Sequence, residues 1–154
     1  MEDIFLKIYD KHYIDVYRLS YSYLLNKEDA EDVTQNTFIK LYYHPEILKN
    51  NDEIIIKWLF RVAINNSKNN LLNFWHKKKV SIDNLDFISN ESNHNLYLFL
   101  NELPFKYRIP IYLYYYEGYQ VKEIASIMKI KESTIKSRLL RGKKVLRIEM
   151  EKEC

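Results

Sequence analysis

Between Ser133 and Arg147 the chain carries six cations, Lys136, Arg138, Arg141, Lys143, Lys144 and Arg147, and no acid. Ile135, Leu139, Leu140, Val145 and Leu146 form an apolar stripe through the same segment at roughly helical spacing. The cations fall mostly outside that stripe, so one helix would present ammonium and guanidinium groups to a partner rich in phosphate. A second constellation is Arg61, Asn65 and Asn69, four residues apart and therefore on one helical face. Arginine can hold a phosphate there, and an asparagine amide can both donate to and accept from an exposed base edge. A third is Glu28, Asp29, Glu31, Asp32 and Gln35, acids and an amide on the solvent side of a predicted helix. That face suits a protein partner, and equally suits a helix start whose dipole favours negative charge.

These groups need rigid elements to position them. Gly 2 and Pro 3 in 154 residues nearly exclude tight hairpins and favour helices. Apolar spacing predicts a helix over Ile4–Leu25, in which Ile4, Phe5, Ile8, Tyr9, Tyr13, Val16, Tyr17, Leu19, Tyr23 and Leu24 are the apolar positions. Asn26–Asp29 reads as a turn, and the next helix covers about Glu28–Tyr43 with Ala30, Val33, Thr37, Phe38 and Leu41 on its inner side. His44–Pro45 ends it, because proline disfavours helix in the residue before it. A loop over Pro45–Asp52 leads to a long helix, about Glu53–Lys79, in which Trp58, Leu59 and Val62 read as core.

From Val80 to Asn95 the periodicity fades into a segment rich in Ser, Asn and Asp, read as a flexible acidic linker. Order returns with a short helix at Leu96–Leu103, a helix from Pro104 to about Glu117 and a glycine suited to its C-terminal cap, Gly118. Val121–Met128, a turn at Lys129–Glu132 and the cationic segment then have the layout of a helix-turn-helix, with Ser133 or Thr134 as the expected N-cap. The fold class is therefore all-α: two small helical domains, 1–79 and 96–154, joined by the linker 80–95. Charge is unevenly distributed, with 12 cations and 11 acids in 1–79, none and three in 80–95, and 12 and seven in 96–154.

No glycine-rich phosphate loop and no Ser–His–acid pattern occurs, and the histidines, His12, His44, His76 and His94, are scattered. One cysteine, Cys154, cannot build a Cys-based zinc site. No catalytic residue, metal ligand or cofactor is expected. No apolar run of transmembrane length and no signal-peptide pattern is present, so the chain reads as cytoplasmic, without direct membrane insertion. The 14 tyrosines fit an AT-rich genome better than a base-stacking role.

Three stretches resemble the small two-domain bacterial sigma factors of the extracytoplasmic-function type. Leu24–Phe38 is similar to the family helix that docks on the clamp of RNA polymerase. Trp58–Asn65 is similar to the start of the family's promoter −10 helix. Leu103-Pro-Phe-Lys-Tyr-Arg108, Glu117-Gly-Tyr, Glu123-Ile-Ala and Ser133–Arg141 resemble the domain that reads the −35 element. The resemblance implies an all-α region 2-like domain, a tether and a region 4-like domain. Its implied partners are core RNA polymerase, promoter DNA and, as for many such factors, an anti-sigma protein.

Carried over by position, Asp32 and Gln35 would contact the polymerase, and Arg61, Asn65 and Asn69 the −10 element. The loop Glu46–Asp52 would complete a pocket for an unstacked base. Lys136, Ser137, Arg138 and Arg141 would read the −35 element, and Lys77–Lys79 would meet the DNA backbone. The chain departs from the family pattern at Asn36 and Asn69, where acids are common, and in the run Asn70–His76, where arginines are common. It also lacks the usual glycine in the turn, which predicts a non-glycine residue at positive φ within Lys129–Lys131. A stand-alone helix-turn-helix regulator is the alternative, with an N-terminal bundle that senses a ligand or dimerises. A non-enzymatic interaction protein with a merely solvated basic face is a third.

Overall fold

In the computed structural model the described residues are 2–74 and 97–153, with side chains described for 2–70 and 97–147. The expected linker 80–95, together with Lys77–Lys79, His76 and His94, lies outside them. The chain divides into two compact units, Met1–Lys79 and Val80–Cys154, and among the described residues there is no strand.

The first unit packs three helices: α1 (Glu2–Leu24), α2 (Lys27–Tyr42) and α3 (Asp52–Phe74). α1 begins near the expected position, but its inward residues are concentrated in the C-terminal half. Ile4 is 49% exposed, whereas Val16 and Leu19 have no exposure. The helix stops where Leu25 turns left-handed (φ 51) and its N–H still donates to the Tyr21 carbonyl at 2.8 Å. A leucine there costs backbone energy, and its buried side chain offsets that cost. Asn26 then caps α2, its Oδ1 accepting from the Asp29 N–H at 2.9 Å.

Ala30, Val33, Thr37, Phe38 and Leu41 are all buried, as the spacing predicts. Thr34 and Thr37 tolerate that environment because each hydroxyl donates to a carbonyl of its own helix, on Ala30 and Val33. The expected loop after Pro45 is ordered as a 3-10 helix, Pro45–Lys49, and Asn51 caps α3 by accepting from the Ile54 N–H at 3.0 Å. Leu59 and Ala63 complete the core; Trp58 is only half-buried, with its ring 6.0 Å from that of His44.

In the second unit residues 97–100 are helical, followed by α4 (Phe105–Ile111), a π-helical stretch (Tyr112–Tyr116), α5 (Val121–Met128) and α6 (Glu132–Glu153). Buried Arg108 organises the entry to α4. Its Nε donates to the Leu103 carbonyl at 3.0 Å, one terminal nitrogen donates to that of Asn101 at 3.3 Å, and the guanidinium stacks 4.1 Å from the Phe105 ring. The single helix expected from Pro104 to Glu117 is not uniform. Pro110 inside it cannot donate to the preceding turn, and the ladder loosens to an i→i−5 bond from the Glu117 N–H to the Tyr112 carbonyl. Gly118 (φ 78) ends it as expected, with the Tyr119 N–H returning to the Leu113 carbonyl.

The turn before α6 has the expected non-glycine residue at positive φ. Lys129 is left-handed (φ 55, ψ 48), with the N–H groups of Lys129 and Ile130 both reaching the Ala125 carbonyl. α6 starts at Glu132, so Ser133 and Thr134 lie within its first turn and neither is its N-cap; the Lys131 carbonyl accepts the first helical bond, from Ile135. Ile111, Tyr112, Leu113, Ile124, Ile127 and Ile135 form the fully buried centre of this unit.

Candidate nucleic-acid interface

Register decides what α6 offers. Ile135, Leu139 and Gly142 face the core. Leu140, expected in the apolar stripe, is 72% exposed instead, because the packed row follows 135, 139 and 142 and leaves 140 on the opposite side. Around it Lys136, Arg141, Lys143, Lys144 and Arg147 are exposed, while Ser137 and Arg138 are half-buried at the margin of the α4 contact. Of the four residues expected at the −35 element, α6 thus exposes Lys136 and Arg141 and leaves Ser137 and Arg138 half-buried.

α6 lies close against α4 because residue 142 has no side chain. A Cβ built on Gly142 would sit 2.9 Å from Ile111 Cγ1 and 3.3 Å from Tyr107 Cβ. Beside this contact opens a cleft of about 340 Å³, lined by Lys106 and Tyr107 of α4 and by Ser133, Thr134, Ser137, Arg138 and Arg141 of α6. Among its described lining residues there is no carboxylate. The Lys106 ammonium lies 5.1 Å from the Tyr107 ring centroid. The position of Lys106 beside the two arginines is invisible in the sequence pattern, since 30 or more residues intervene and nothing local specifies which helix faces which.

In the first unit α2 turns Asp32, Gln35 and Asn36 outward, continued by Ile39 and Tyr43, at 53% and 72% exposure. The acids of the face are joined by a substantial apolar extension that the sequence pattern does not announce. Burial pushes the pKa of neighbouring Tyr13 up, with Tyr9 and Glu31 adding to it and the Gln35 amide opposing. On α3, Asn65 and Asn69 are exposed and Arg61 is half-buried, in line along one face, whereas Asn66 between them reaches Thr37 of α2 at 3.4 Å.

The segment before α3 is held by its own backbone and by α1. Asn50 Nδ2 donates to the Ile47 carbonyl at 3.0 Å. His12 Nε2 lies 2.7 Å from Asp52 Oδ1, and Lys11 Nζ lies 3.0 Å from Oδ2. Asp15 is on the other side of the His12 ring, 3.6 Å from Nδ1. The carboxylates of Asp15 and Asp52 raise the His12 pKa against the opposing effect of burial, and His12 and Lys11 lower that of Asp52. No group of three or more His, Cys, Asp or Glu that could hold a metal occurs among the described residues. None of their helices is long and apolar enough to cross a membrane.

The family model of sigma-70 region 2 matches residues 8–76, and that of sigma-70 region 4 matches residues 93–146. RNA polymerase sigma factor SigV of Bacillus subtilis (strain 168) is 32% identical over 151 residues, covering 92% of this chain and 88% of that protein. The ECF RNA polymerase sigma factor SigM of the same strain is 34% identical over 157 residues, covering 92% and 91%. The chain belongs to the extracytoplasmic-function sigma factors.

The fold of this sigma factor is like that of CnrH, solved in complex with the cytosolic domain of CnrY (TM-score 0.74, 19% identity, 100% of this chain and 92% of that one). It is equally like the sigma factor RpoE of Bartonella quintana, solved with the anti-sigma factor NepR (TM-score 0.75, 19% identity, 98% of each chain). Family membership favours the sigma-factor reading over a stand-alone regulator, whose helix-turn-helix would not require a region 2 partner in the same chain.

Proposed function

We infer that this sigma factor directs core RNA polymerase to specific promoters and assists DNA melting at initiation, without catalysing a reaction itself. It acts in the cytoplasm. The observation that carries this reading is one chain in which region 2 and region 4 follow in order, the latter ending in a helix with an accessible cationic face. Lys136, Ser137, Arg138 and Arg141 contact the −35 element, at base edges and along the phosphate backbone; a bidentate contact to guanine from one arginine would contribute about 1–3 kcal/mol of discrimination. Arg61, Asn65 and Asn69 approach the −10 strand, one as a phosphate anchor and two as base-edge readers, with the 3-10 segment and Asp52 bordering the base pocket. Asp32 and Gln35 dock on the polymerase. An anti-sigma protein is the expected antagonist, consistent with the complexes in which its fold relatives were solved.

The test is transcription in vitro from a genomic fragment library, with purified core polymerase and with or without this protein. New start sites sharing elements near −35 and −10, lost with Arg138→Ala and reduced with Asp32→Ala, are the expected result. Binding to DNA with no core-dependent initiation would refute it.

A further inference from the structure

We propose that the cleft between α4 and α6 seats one backbone phosphate of DNA, gripped by Lys106 from α4 and by Arg138 and Arg141 from α6. This rests on the reading of α6 as the −35 helix and extends it to a group outside that helix. The cleft is concave, about 340 Å³, and its described lining holds three cations and four hydroxyls with no carboxylate. That composition suits a compact anion with several acceptor oxygens and offers nothing to a cation or an apolar ligand. Lys106 is exposed, and its position over the Tyr107 ring orients the ammonium while leaving its donors accessible.

The geometry has a functional consequence. A base-reading helix held only by its own side chains can roll about its axis. A phosphate bridged from a second helix would fix that roll, because α4 and α6 are locked together at Gly142, Ile111 and Tyr107. Lys106 would then position the helix without carrying sequence information, since a point charge meets every phosphodiester alike. Ser133 and Ser137 can supply neutral donors to the same oxygens.

Fluorescence anisotropy of the full chain on a short duplex containing its −35 element, between 50 and 200 mM salt, tests the assignment. Lys106→Ala should weaken binding several-fold at low salt and reduce the slope of log K against log salt by about 0.9, the value for one phosphate. The loss should be equal on a scrambled duplex, and Lys106→Arg should restore it. A neutral methylphosphonate scanned along the backbone should, at one position, weaken the wild type more than it weakens Lys106→Ala. An unchanged slope together with no coupled phosphate would overturn the proposal, as would a cleft that binds inorganic phosphate with Lys106 but shows no coupling to DNA. Arg138→Ala and Arg141→Ala separate the two levels. If they abolish binding while Lys106→Ala does nothing, the cleft assignment alone fails. If all three are silent, the −35 reading of α6 fails with it.

Discussion

Gly142→Ala sets two ordinary effects against each other, and the structure decides between them. In an exposed helix interior the change would stabilise by about 1 kcal/mol, since glycine has the larger conformational freedom to lose. Here the new methyl group would lie 2.9 Å from Ile111 Cγ1, 3.0 Å from its Cδ1 and 3.3 Å from Tyr107 Cβ. Ile111 has no exposure and Tyr107 only 8%, so neither can swing into solvent. Overpacking a core of this kind costs about 1–3 kcal/mol, which leaves a net loss of roughly 1 kcal/mol. For a small domain that lowers the melting midpoint by roughly 4–8 °C.

Hydrogen exchange on the full chain localises the effect, with protection falling in α4 and α6 and unchanged in α1–α3. Ile111→Ala provides the second arm: with the obstructing atoms gone, Gly142→Ala should turn neutral or stabilising in that background. A stabilising Gly142→Ala in the wild-type background would refute the reasoning, because it would mean that α4 and α6 separate at no cost. Affinity for the −35 duplex should fall alongside stability, as Tyr107 borders both the contact and the cleft.

Two left-handed residues should respond oppositely to glycine. Lys129→Gly releases strain at an exposed side chain and should stabilise the second unit by about 0.5–1 kcal/mol, read from the denaturant midpoint. Leu25→Gly releases the same strain but exposes about 1.5–3 kcal/mol worth of buried leucine, so a net loss of roughly 1 kcal/mol is expected. The His12–Asp52 pair gives the first unit a two-sided pH dependence. Its raised histidine contributes stability fully below pH 6.5, lost as pH rises through the higher folded value; its lowered aspartate contributes above pH 3.8, lost as pH falls through the lower folded value. Urea unfolding across pH 3–9 should therefore show a plateau whose acid flank Asp52→Asn flattens and whose alkaline flank it reduces only in part, since Asp15 also raises the histidine; an unaltered profile would exclude the pair as its source.

Helix existence, the inner face of α2 and the end of the helix at Gly118 were all legible locally, because periodicity, caps and φ requirements are properties of a few neighbouring residues. The positive φ in the turn before α6 came from comparison with the family's glycine, and Lys129 takes it. Where local signals compete, the sequence misleads. Leu140 continues the apolar spacing of Ile135 and Leu139, yet the row that packs passes through Gly142, since α4 needs a backbone at contact distance there rather than a side chain. Ser133 is a better capping residue than Lys131, but the turn through Lys129 starts α6 two positions earlier than a cap at Ser133 allows.

What the sequence determined by itself was an all-helical chain with a cationic helix and two family-like halves, because each of those follows from composition and short-range pattern. Tertiary structure alone decided that Lys106 stands beside Arg138 and Arg141, that His12 meets Asp52, and that Leu140 faces out. Each depends on which helices touch and at what distance. That is set by the total packing of a unit, where one absent Cβ at Gly142 outweighs the local preference of the residues around it.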